Sequence, residues 1–328
     1  MPNKLIIKNI KLKKMKELII DLSKPPDLRW SKLHNYREGF NALLNFFSGE
    51  ILELVPKEYV AMLDMYAQSF LSTEHYSEIV SISEHMEMPL TNVLVGNLYY
   101  DALKIVLGCS SFAIANDGNP IHGRNLDWHS NDNDLSTHSL VTRYINGKNE
   151  YITIGWPGFT GCLSGMAIGK FSISLNSVWS NDPFTTAEPI VYLIRKTLEQ
   201  AESFNQAVEW LTTTTIASDC LLLVCGTNAN EMVVVERTPT KDKVRKAQNG
   251  KILVTNDYKL IESSFSMEVG QLGDTSCGRY NRIDELLNNK TILTPKAVHD
   301  ILSDTDVRMG ITMQQMYFNP KKGIYKLF

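Results

Sequence analysis

Apolar residues recur with helical spacing over the first third of the chain. One stripe follows the i, i+3, i+4, i+7 spacing of an amphipathic helix, and its members are Phe40, Leu43, Leu44, Phe47, Ile51 and Leu54. Pro56 ends this helix because proline has no N–H to donate and its ring clashes with the preceding turn. Three further helices are predicted, over 57–71, about 77–88 and 89–100, and the prolines at 25 and 26 predict an extended segment over 18–30.

From residue 108 onward the apolar spacing shortens to alternation, which is typical of β-strands. The predicted strands cover 111–115, 121–128, 140–144, 151–154, 166–168, 171–176, 221–226, 232–236 and 251–255. Helical spacing returns over 186–201 and 204–211, and a last helix is predicted after residue 282. The pattern alone therefore predicts a mixed α and β fold in which helices separate two groups of strands.

The composition predicts a globular protein without a nucleic-acid partner. The chain has 328 residues, of which 43% are hydrophobic, so it can bury a large core as one domain or two. Its formal net charge is -3, and no basic field is present to attract a polyanion. The first 16 residues lack the uninterrupted apolar core of a signal peptide, and no segment reaches membrane-spanning length, so a cytoplasmic location is expected.

The cysteines do not follow a metal-binding or disulfide pattern. Five occur, at positions 109, 162, 220, 225 and 277, which is an odd number without a C-x-x-C pair. This spacing argues against a zinc site and against a disulfide framework. We therefore expect free thiols in a reducing compartment and no bound metal.

Cys109 lies at the start of a predicted hairpin that brings it near two charged side chains. The strand 111–115 is followed by the turn formers of 116–120 and by a second apolar run. Folding back at this turn places Arg124 and Asp127 alongside Cys109. A cation stabilises a thiolate nucleophile, and a carboxylate can hold a protonated base. A cysteine by itself is more often a buried apolar filler, so the surrounding hairpin is what favours catalysis.

The residues of this hairpin resemble those of a known enzyme family. Cys-Ser-Ser at 109–111, followed by His-Gly-Arg-Asn-Leu-Asp at 122–127, is similar to the acid ceramidase and N-acylethanolamine acid amidase family. That family belongs to the N-terminal nucleophile hydrolases and is related to the choloylglycine hydrolases. The resemblance implies an α+β fold, the αββα sandwich of the N-terminal nucleophile hydrolases, with an N-terminal helical cap.

The resemblance also implies that the chain cuts itself before the nucleophile. Autocatalytic cleavage between Gly108 and Cys109 would give a helical N-terminal segment, 1–108, as the α-subunit and a catalytic domain, 109–328, as the β-subunit. The two fragments are expected to remain associated. The freed α-amine of Cys109 then serves as the base for its own thiol.

Further catalytic residues follow from the positions that match the family. Arg124 is expected to polarise the thiol, Asp127 to hold the amine, and Asn256 to donate to the oxyanion together with backbone N–H groups. Arg279 follows a comparable loop and is the expected second arginine, with Arg282 left as the alternative. No cofactor is required for this chemistry.

The substrate that the resemblance implies is a lipid-like N-acyl amide. Contacts with it are expected from Asn176, at the end of a strand, and from Trp156 and Phe159 in a loop of glycine, proline and aromatic residues. The helical cap is rich in Phe, Leu and Met, and it either lines a route for the acyl chain or is ordinary core. Peripheral membrane contact is a further interaction left open.

The predicted function is hydrolysis of N-acylethanolamines or ceramides to fatty acid and amine through a thioester on Cys109. Three alternatives stay open at this point. The first is an amidase of the penicillin V acylase or conjugated bile acid hydrolase type, in which the cysteine tends to follow the initiator methionine. The second is a papain-like thiol enzyme, in which a histidine such as His122 pairs with Cys109. The third is a lipid-binding homologue that never cleaves itself.

Overall fold

Two β-sheets packed face to face form the centre of the structure. The computed structural model describes residues 16–54, 57–103, 108–128, 135–147, 149–183, 185–262, 271–288 and 293–328. The strands are β1 (Glu17–Asp21), β2 (Gly108–Ile114), β3 (Ile121–Asp127), β4 (Leu140–Asn146), β5 (Asn149–Gly155), β6 (Ser164–Ala167), β7 (Phe171–Asn176), β8 (Cys220–Cys225), β9 (Met232–Arg237), β10 (Asp242–Lys246), β11 (Lys251–Val254), β12 (Thr312–Asn319) and β13 (Ile324–Leu327). Strand β2 packs against β7 and β8 and so joins the two sheets.

The strand order places the Cys109 hairpin in the middle of the smaller sheet. In the described part of the chain the larger sheet has eight strands, in the order β1-β4-β5-β6-β7-β8-β9-β10, and the smaller has five, in the order β11-β2-β3-β12-β13. β2 and β3 pair antiparallel and are buried along almost their whole length, because the other sheet covers one face and helices cover the other.

The helices complete the outer layers. They are α1 (Pro26–Arg29), α2 (Arg37–Leu54), α3 (Lys57–Phe70), α4 (Thr73–Met86), α5 (Leu90–Leu103), α6 (Ile190–Gln200), α7 (Phe204–Thr213), α8 (Gln271–Asn288) and α9 (Pro295–Leu302), with 3-10 turns at Ser31–Tyr36 and Leu135–His138. α6 and α7 cover the larger sheet, whereas α8 and α9 cover the smaller one. The layers run helix, sheet, sheet, helix, which confirms the predicted αββα sandwich. Over the described residues, no helix combines the length and apolarity needed to cross a membrane.

The segment before Cys109, which the resemblance implies to be helical, also contains a strand. β1 overlaps the stretch 18–30 that is predicted to be extended, and it pairs in parallel with β4 at the edge of the larger sheet. The prediction that the two prolines in that stretch exclude a helix is wrong, since α1 begins at Pro26. Proline is tolerated in the first turn of a helix, where the N–H that it lacks would have no partner within the helix.

A buried ion network joins this N-terminal segment to the catalytic part of the chain. Glu78 on α4 accepts ion pairs from Arg29 on α1 and from Arg195 on α6, each at 2.7 Å between nitrogen and oxygen. All three side chains are buried. Burial by itself would raise the pKa of Glu78, but Arg195 and Arg29 hold that pKa below its usual value. The two sides of the Gly108–Cys109 bond are therefore connected by charges that water does not reach.

Candidate active site

The β2–β3 register brings the predicted nucleophile and its charged neighbours together. Cys109 pairs with Leu126, and Gly108 pairs with Asp127, at the same end of the hairpin. Arg124 extends its guanidinium to Cys109, with 3.4 Å between Nη2 and the Cys109 Sγ. The structure therefore brings a thiol, a guanidinium and a carboxyl group to one end of the hairpin, as expected from the sequence.

Arg124 is held in place by the larger sheet. Its Nη1 donates to the Leu163 carbonyl at 2.9 Å, and its Nη2 donates to the Leu175 carbonyl at 2.6 Å. The side chain is fully buried. A guanidinium anchored by two neutral carbonyls keeps its full positive charge available to the sulfur atom.

The thiol of Cys109 is fully buried, and this burial raises its pKa. Arg124 opposes the shift by favouring the thiolate, whereas the nearby Asp127 carboxyl adds to it. In the uncleaved chain the protonated thiol is thus the favoured form. A base has to remove this proton before the sulfur can attack a carbonyl carbon.

Asp127, at the end of β3, faces side chains from β12 and α8. Its Oδ1 accepts a hydrogen bond from the Thr312 hydroxyl at 2.5 Å, and its Oδ2 lies 4.0 Å from Nη1 of Arg279. Burial raises the pKa of Asp127, while Thr312, Arg279 and Arg124 each lower it. Thr312 is not among the residues predicted from the sequence, because it lies on β12 and is separated from Asp127 by 185 positions.

Asn256 and Arg279 hold the backbone of Cys109. The Asn256 Oδ1 accepts from the Cys109 N–H at 3.2 Å and from Nη2 of Arg279 at 2.8 Å. The Nη1 of Arg279 donates to the Cys109 carbonyl at 2.7 Å and to the Ser110 hydroxyl at 2.8 Å. The structure thus brings Arg279 to the nucleophile, whereas Arg282 bonds Asp304 at 2.8 Å and is part-exposed.

The Asn256 amide is turned differently from the prediction, in which its NH2 group faces the oxyanion. Two donors, the Cys109 N–H and Arg279, face one side of the amide, so that side must be its oxygen. The NH2 group on the other side donates to the Ser177 carbonyl at 2.8 Å. In the uncleaved chain Asn256 therefore holds the nitrogen of Cys109, and its predicted donation to an oxyanion stays a prediction.

The three predicted substrate contacts are all buried in the uncleaved chain. Asn176 accepts from the Ser111 hydroxyl at 2.9 Å and donates to the Thr255 carbonyl at 2.9 Å, which connects the two sheets. Trp156 donates from Nε1 to the Leu135 carbonyl at 2.8 Å. The backbone N–H of Phe159 donates a hydrogen bond to the Trp156 carbonyl at 3.1 Å, which closes a turn between the two residues. Their contact with substrate stays a prediction.

An aromatic cluster, which sequence reasoning missed as a unit, lies directly after Asp127. It consists of Phe46 and Phe47 on α2, Tyr99 on α5, Trp128 at the end of β3, and Trp156. Tyr99 and Trp128 stack with ring centroids 5.5 Å apart. The cluster links the N-terminal helices to the end of the hairpin that carries the site.

The phenylalanines of the helical cap that lie on α2 are core in the uncleaved chain. Phe40, Phe46 and Phe47 are buried. Of the two interpretations of the apolar stripe, a route for the acyl chain or ordinary core, these residues fit ordinary core. Met62 and Met65 on α3 are more than half exposed, at 51% and 60%. The same helical spacing is found in a core and in a ligand groove, so the sequence did not separate the two.

His122 does not pair with Cys109. Its ring nitrogens bond the hydroxyls of Ser172 and Ser174 at 3.0 and 2.9 Å, and burial lowers its pKa to about 3. His122 pairs with Ala113, which lies four residues along β2 from Cys109, or about 13 Å at the rise of a strand. His122 is about 13 Å from Cys109 along the hairpin, both of its ring nitrogens are already hydrogen-bonded, and its lowered pKa makes it a weak base. The papain-like alternative with His122 as the base is therefore contradicted.

Comparison with known proteins decides the family. A family model described as "Acyl-coenzyme A:6-aminopenicillanic acid acyl-transferase" matches residues 114–317, which is more than half of the chain. A second, described as "beta subunit of N-acylethanolamine-hydrolyzing acid amidase", matches residues 13–75. The chain belongs to the acid ceramidase and N-acylethanolamine acid amidase family. The second match lies inside the segment that precedes Cys109.

Relatives of known name support this assignment. The N-acylethanolamine-hydrolyzing acid amidase of Caenorhabditis elegans is 25% identical over 90% of this chain and 86% of its own length. The rat enzyme of the same name is 30% identical over 66% of this chain and 62% of its own length. The acid ceramidase of Bos taurus is 26% identical over 66% of this chain and 62% of its own length.

A solved structure shows the same fold. The structure of the C. elegans N-acylethanolamine-hydrolyzing acid amidase ortholog aligns with a TM-score of 0.57 at 20% identity, over 67% of this chain and 100% of that chain. This likeness shows the fold. The family assignment and the named relatives identify the protein as an amide hydrolase of the N-terminal nucleophile class.

Proposed function

We propose that this protein hydrolyses N-acyl lipid amides of the N-acylethanolamine or ceramide type after cutting itself between Gly108 and Cys109. The observation that carries the proposal is the convergence on Cys109 of Arg124 at the sulfur, Asn256 at the nitrogen and Arg279 at the carbonyl oxygen. Every polar atom of Cys109 thus has a defined partner. The names of the C. elegans, rat and cattle relatives supply the substrate class.

Self-cleavage proceeds through an acyl shift. The Cys109 sulfur attacks the Gly108 carbonyl carbon, the C–N bond breaks, and its nitrogen takes up the thiol proton. This leaves residue 108 joined to the sulfur as a thioester, which water hydrolyses to a carboxylate and a thiol. Because Gly108 has no side chain, its carbonyl is open to the attacking sulfur.

Turnover then uses the amine that self-cleavage has freed. The amine takes the proton of the Cys109 thiol, and Arg124 stabilises the thiolate as the sulfur attacks the acyl carbonyl. The leaving amine receives the proton, and water hydrolyses the thioester to the fatty acid. Asn256 already bonds this nitrogen in the uncleaved chain, so it orients the base, and its NH2 group serves an oxyanion only after turning from Ser177.

The mature protein is proposed to keep both fragments, because Glu78 pairs across the cut with Arg195 in a buried network. A cytoplasmic location is also proposed, and the five free cysteines support it. Peripheral membrane contact stays a prediction. A penicillin V acylase or bile acid hydrolase activity is the alternative that substrate preference distinguishes.

The test is a comparison of kcat/KM for N-acylethanolamines of increasing chain length, ceramide, penicillin V and glycocholate. Each methylene buried from water contributes about 0.8 kcal/mol, or about fourfold in affinity. We expect kcat/KM to rise steeply with acyl length, with Cys109→Ala as the inactive control. A flat response to length, or a preference for penicillin V or glycocholate, would overturn the lipid assignment and leave the amide chemistry intact.

A further inference from the structure

A β-bulge on β12 selects which side chain faces Asp127. β12 pairs antiparallel with β3, with Gln314 opposite Leu126 and Thr312 opposite Asp127, so Met313 is an extra residue. In a regular ladder the residue opposite Asp127 would be Met313. Bulges occur often beside active sites because they redirect one side chain. Here the bulge replaces an apolar side chain with a hydroxyl.

The hydroxyl of Thr312 is locked as a donor toward Asp127. The Met309 N–H lies 3.0 Å from Thr312 Oγ1, and a backbone N–H only donates, so the oxygen accepts this bond. The hydroxyl hydrogen is then left for Oδ1 of Asp127 at 2.5 Å. The Thr312 N–H also donates to the Met309 carbonyl at 3.1 Å, which closes the turn that holds the hydroxyl.

We propose that Thr312 is a positioning residue that orients the Asp127 carboxylate toward the nitrogen of Cys109. The inference rests on the proposed function, because the role that the family resemblance implies for Asp127, holding the freed amine of Cys109, exists only after self-cleavage. Thr312 acts only through Asp127: its described bonds run to Asp127 and Met309. Without this bond the carboxylate could turn about its Cβ–Cγ bond. With Oδ1 fixed by Thr312, the buried Oδ2, which accepts no hydrogen bond from the described residues and lies 4.0 Å from Arg279, is left available to the freed amine.

The charges around Asp127 set the expected pH effect. Arg279 on α8 lies 4.0 Å from Oδ2, Arg124 lies on the same strand, and the Cys109 thiol faces it from β2. Burial raises the pKa of Asp127, and the Thr312 bond opposes that rise together with the two arginines. Loss of the hydroxyl therefore raises this pKa further and leaves more of the carboxyl protonated at low pH. A protonated carboxyl no longer holds an ammonium group.

The experiment compares Thr312→Val, which keeps the shape and loses the hydroxyl, with Thr312→Ser, which keeps the hydroxyl. The pH profile of kcat/KM for N-palmitoylethanolamine is measured on the matured proteins. Loss of a hydrogen bond to a charged group corresponds to about tenfold in rate or about one pKa unit. Thr312→Val should therefore raise the apparent pKa of the acidic limb of the kcat/KM profile by about one unit. Thr312→Ser should restore the wild-type limb. An unmoved limb in Thr312→Val, or a serine variant that behaves like valine, would overturn the proposal.

A second measurement does not depend on turnover. The Asp127 carboxyl is titrated by carbon-13 NMR in the uncleaved Cys109→Ala chain, with and without Thr312→Val, and the signal is assigned with Asp127→Asn. A higher Asp127 pKa in the valine variant supports the inference, and an equal pKa refutes it. If wild-type protein hydrolyses no N-acyl amide, the proposed function fails while this titration still decides the role of Thr312.

Discussion

The Nη1 atom of Arg279 donates a 2.7 Å hydrogen bond to the carbonyl oxygen of Cys109. Arg282, one helical turn further along α8, instead pairs with Asp304 at the surface. Arg279 therefore fixes the backbone of the nucleophile from a buried position, and Arg282 does not touch it. The two arginines form a matched pair for mutagenesis.

Arg279→Ala should slow both self-cleavage and turnover by about 100-fold, because two buried acceptors, the Cys109 carbonyl and Asn256, lose a charged donor. Arg282→Ala should change either rate by less than about threefold, since exposed ion pairs contribute little. Both rates are read from gels and from amide hydrolysis. Equal losses in the two variants would contradict the assignment of Arg279 to the site.

The Glu78 network makes a prediction about the matured protein. Breaking one partner of a buried ion pair costs about 3 to 5 kcal/mol, so Glu78→Gln should weaken the association of the two fragments by about 100-fold or more. Arg143→Met is the control, because its pair with Glu150 is part-exposed and lies within the fragment after the cut. Size-exclusion chromatography over a dilution series measures the association. Fragments that dissociate equally in both variants would argue against the network as the link.

The buried carboxyl of Asp101 should make the protein less stable as the pH rises. Asp101 is buried on α5, accepts the Ile190 N–H at the start of α6 and the Ser218 hydroxyl, each at 3.0 Å, and burial raises its pKa to about 7. The folded chain therefore binds the proton more tightly than the unfolded chain, whose carboxyl titrates at about 3.9. The stability that this proton contributes is complete below about pH 4 and is lost as the pH rises toward 7.

The measurement is the free energy of unfolding by urea at pH 5 and pH 8, in a Cys109→Ala background that stays uncut. The asparagine of Asp101→Asn cannot titrate. From pH 5 to pH 8 the free energy of unfolding of this variant should therefore fall less than that of the parent, by about 2 to 4 kcal/mol. Oδ1 is retained in asparagine, which keeps both accepted bonds. An identical loss in parent and variant would show that Asp101 does not titrate in this range.

The sequence predicted the parts of the site that lie within one hairpin. Alternation and the turn at 116–120 define the β2–β3 pair, and pairing with period two then places Arg124 and Asp127 beside Cys109. Asn256 and Arg279 were identified through the family resemblance, and the structure brings both to Cys109. Both residues contact Cys109 as predicted, although the atom of Asn256 that faces the nucleophile is its amide oxygen and not its NH2 group.

Contacts between distant segments were beyond the sequence. Thr312 reaches Asp127 across 185 positions and only because a bulge shifts its register. Glu78 meets Arg195 across 117 positions, and neither residue carries a local pattern that indicates a partner. Hydrophobic periodicity reports which face of an element is apolar, but not which element covers it, so the aromatic cluster and the parallel pairing of β1 also escaped prediction.

The most direct test is the mass and N-terminal sequence of the purified chain. Wild-type protein should separate under denaturing conditions into a fragment ending at Gly108 and one beginning at Cys109, whereas Cys109→Ala should stay whole and inactive. Cys162→Ala should be cut and active like wild type, because Cys162 is a buried thiol whose pKa burial raises to about 12. An uncut wild-type chain that hydrolyses N-acyl amides, or a Cys109→Ala chain that is still cut before residue 109, would contradict the N-terminal nucleophile mechanism.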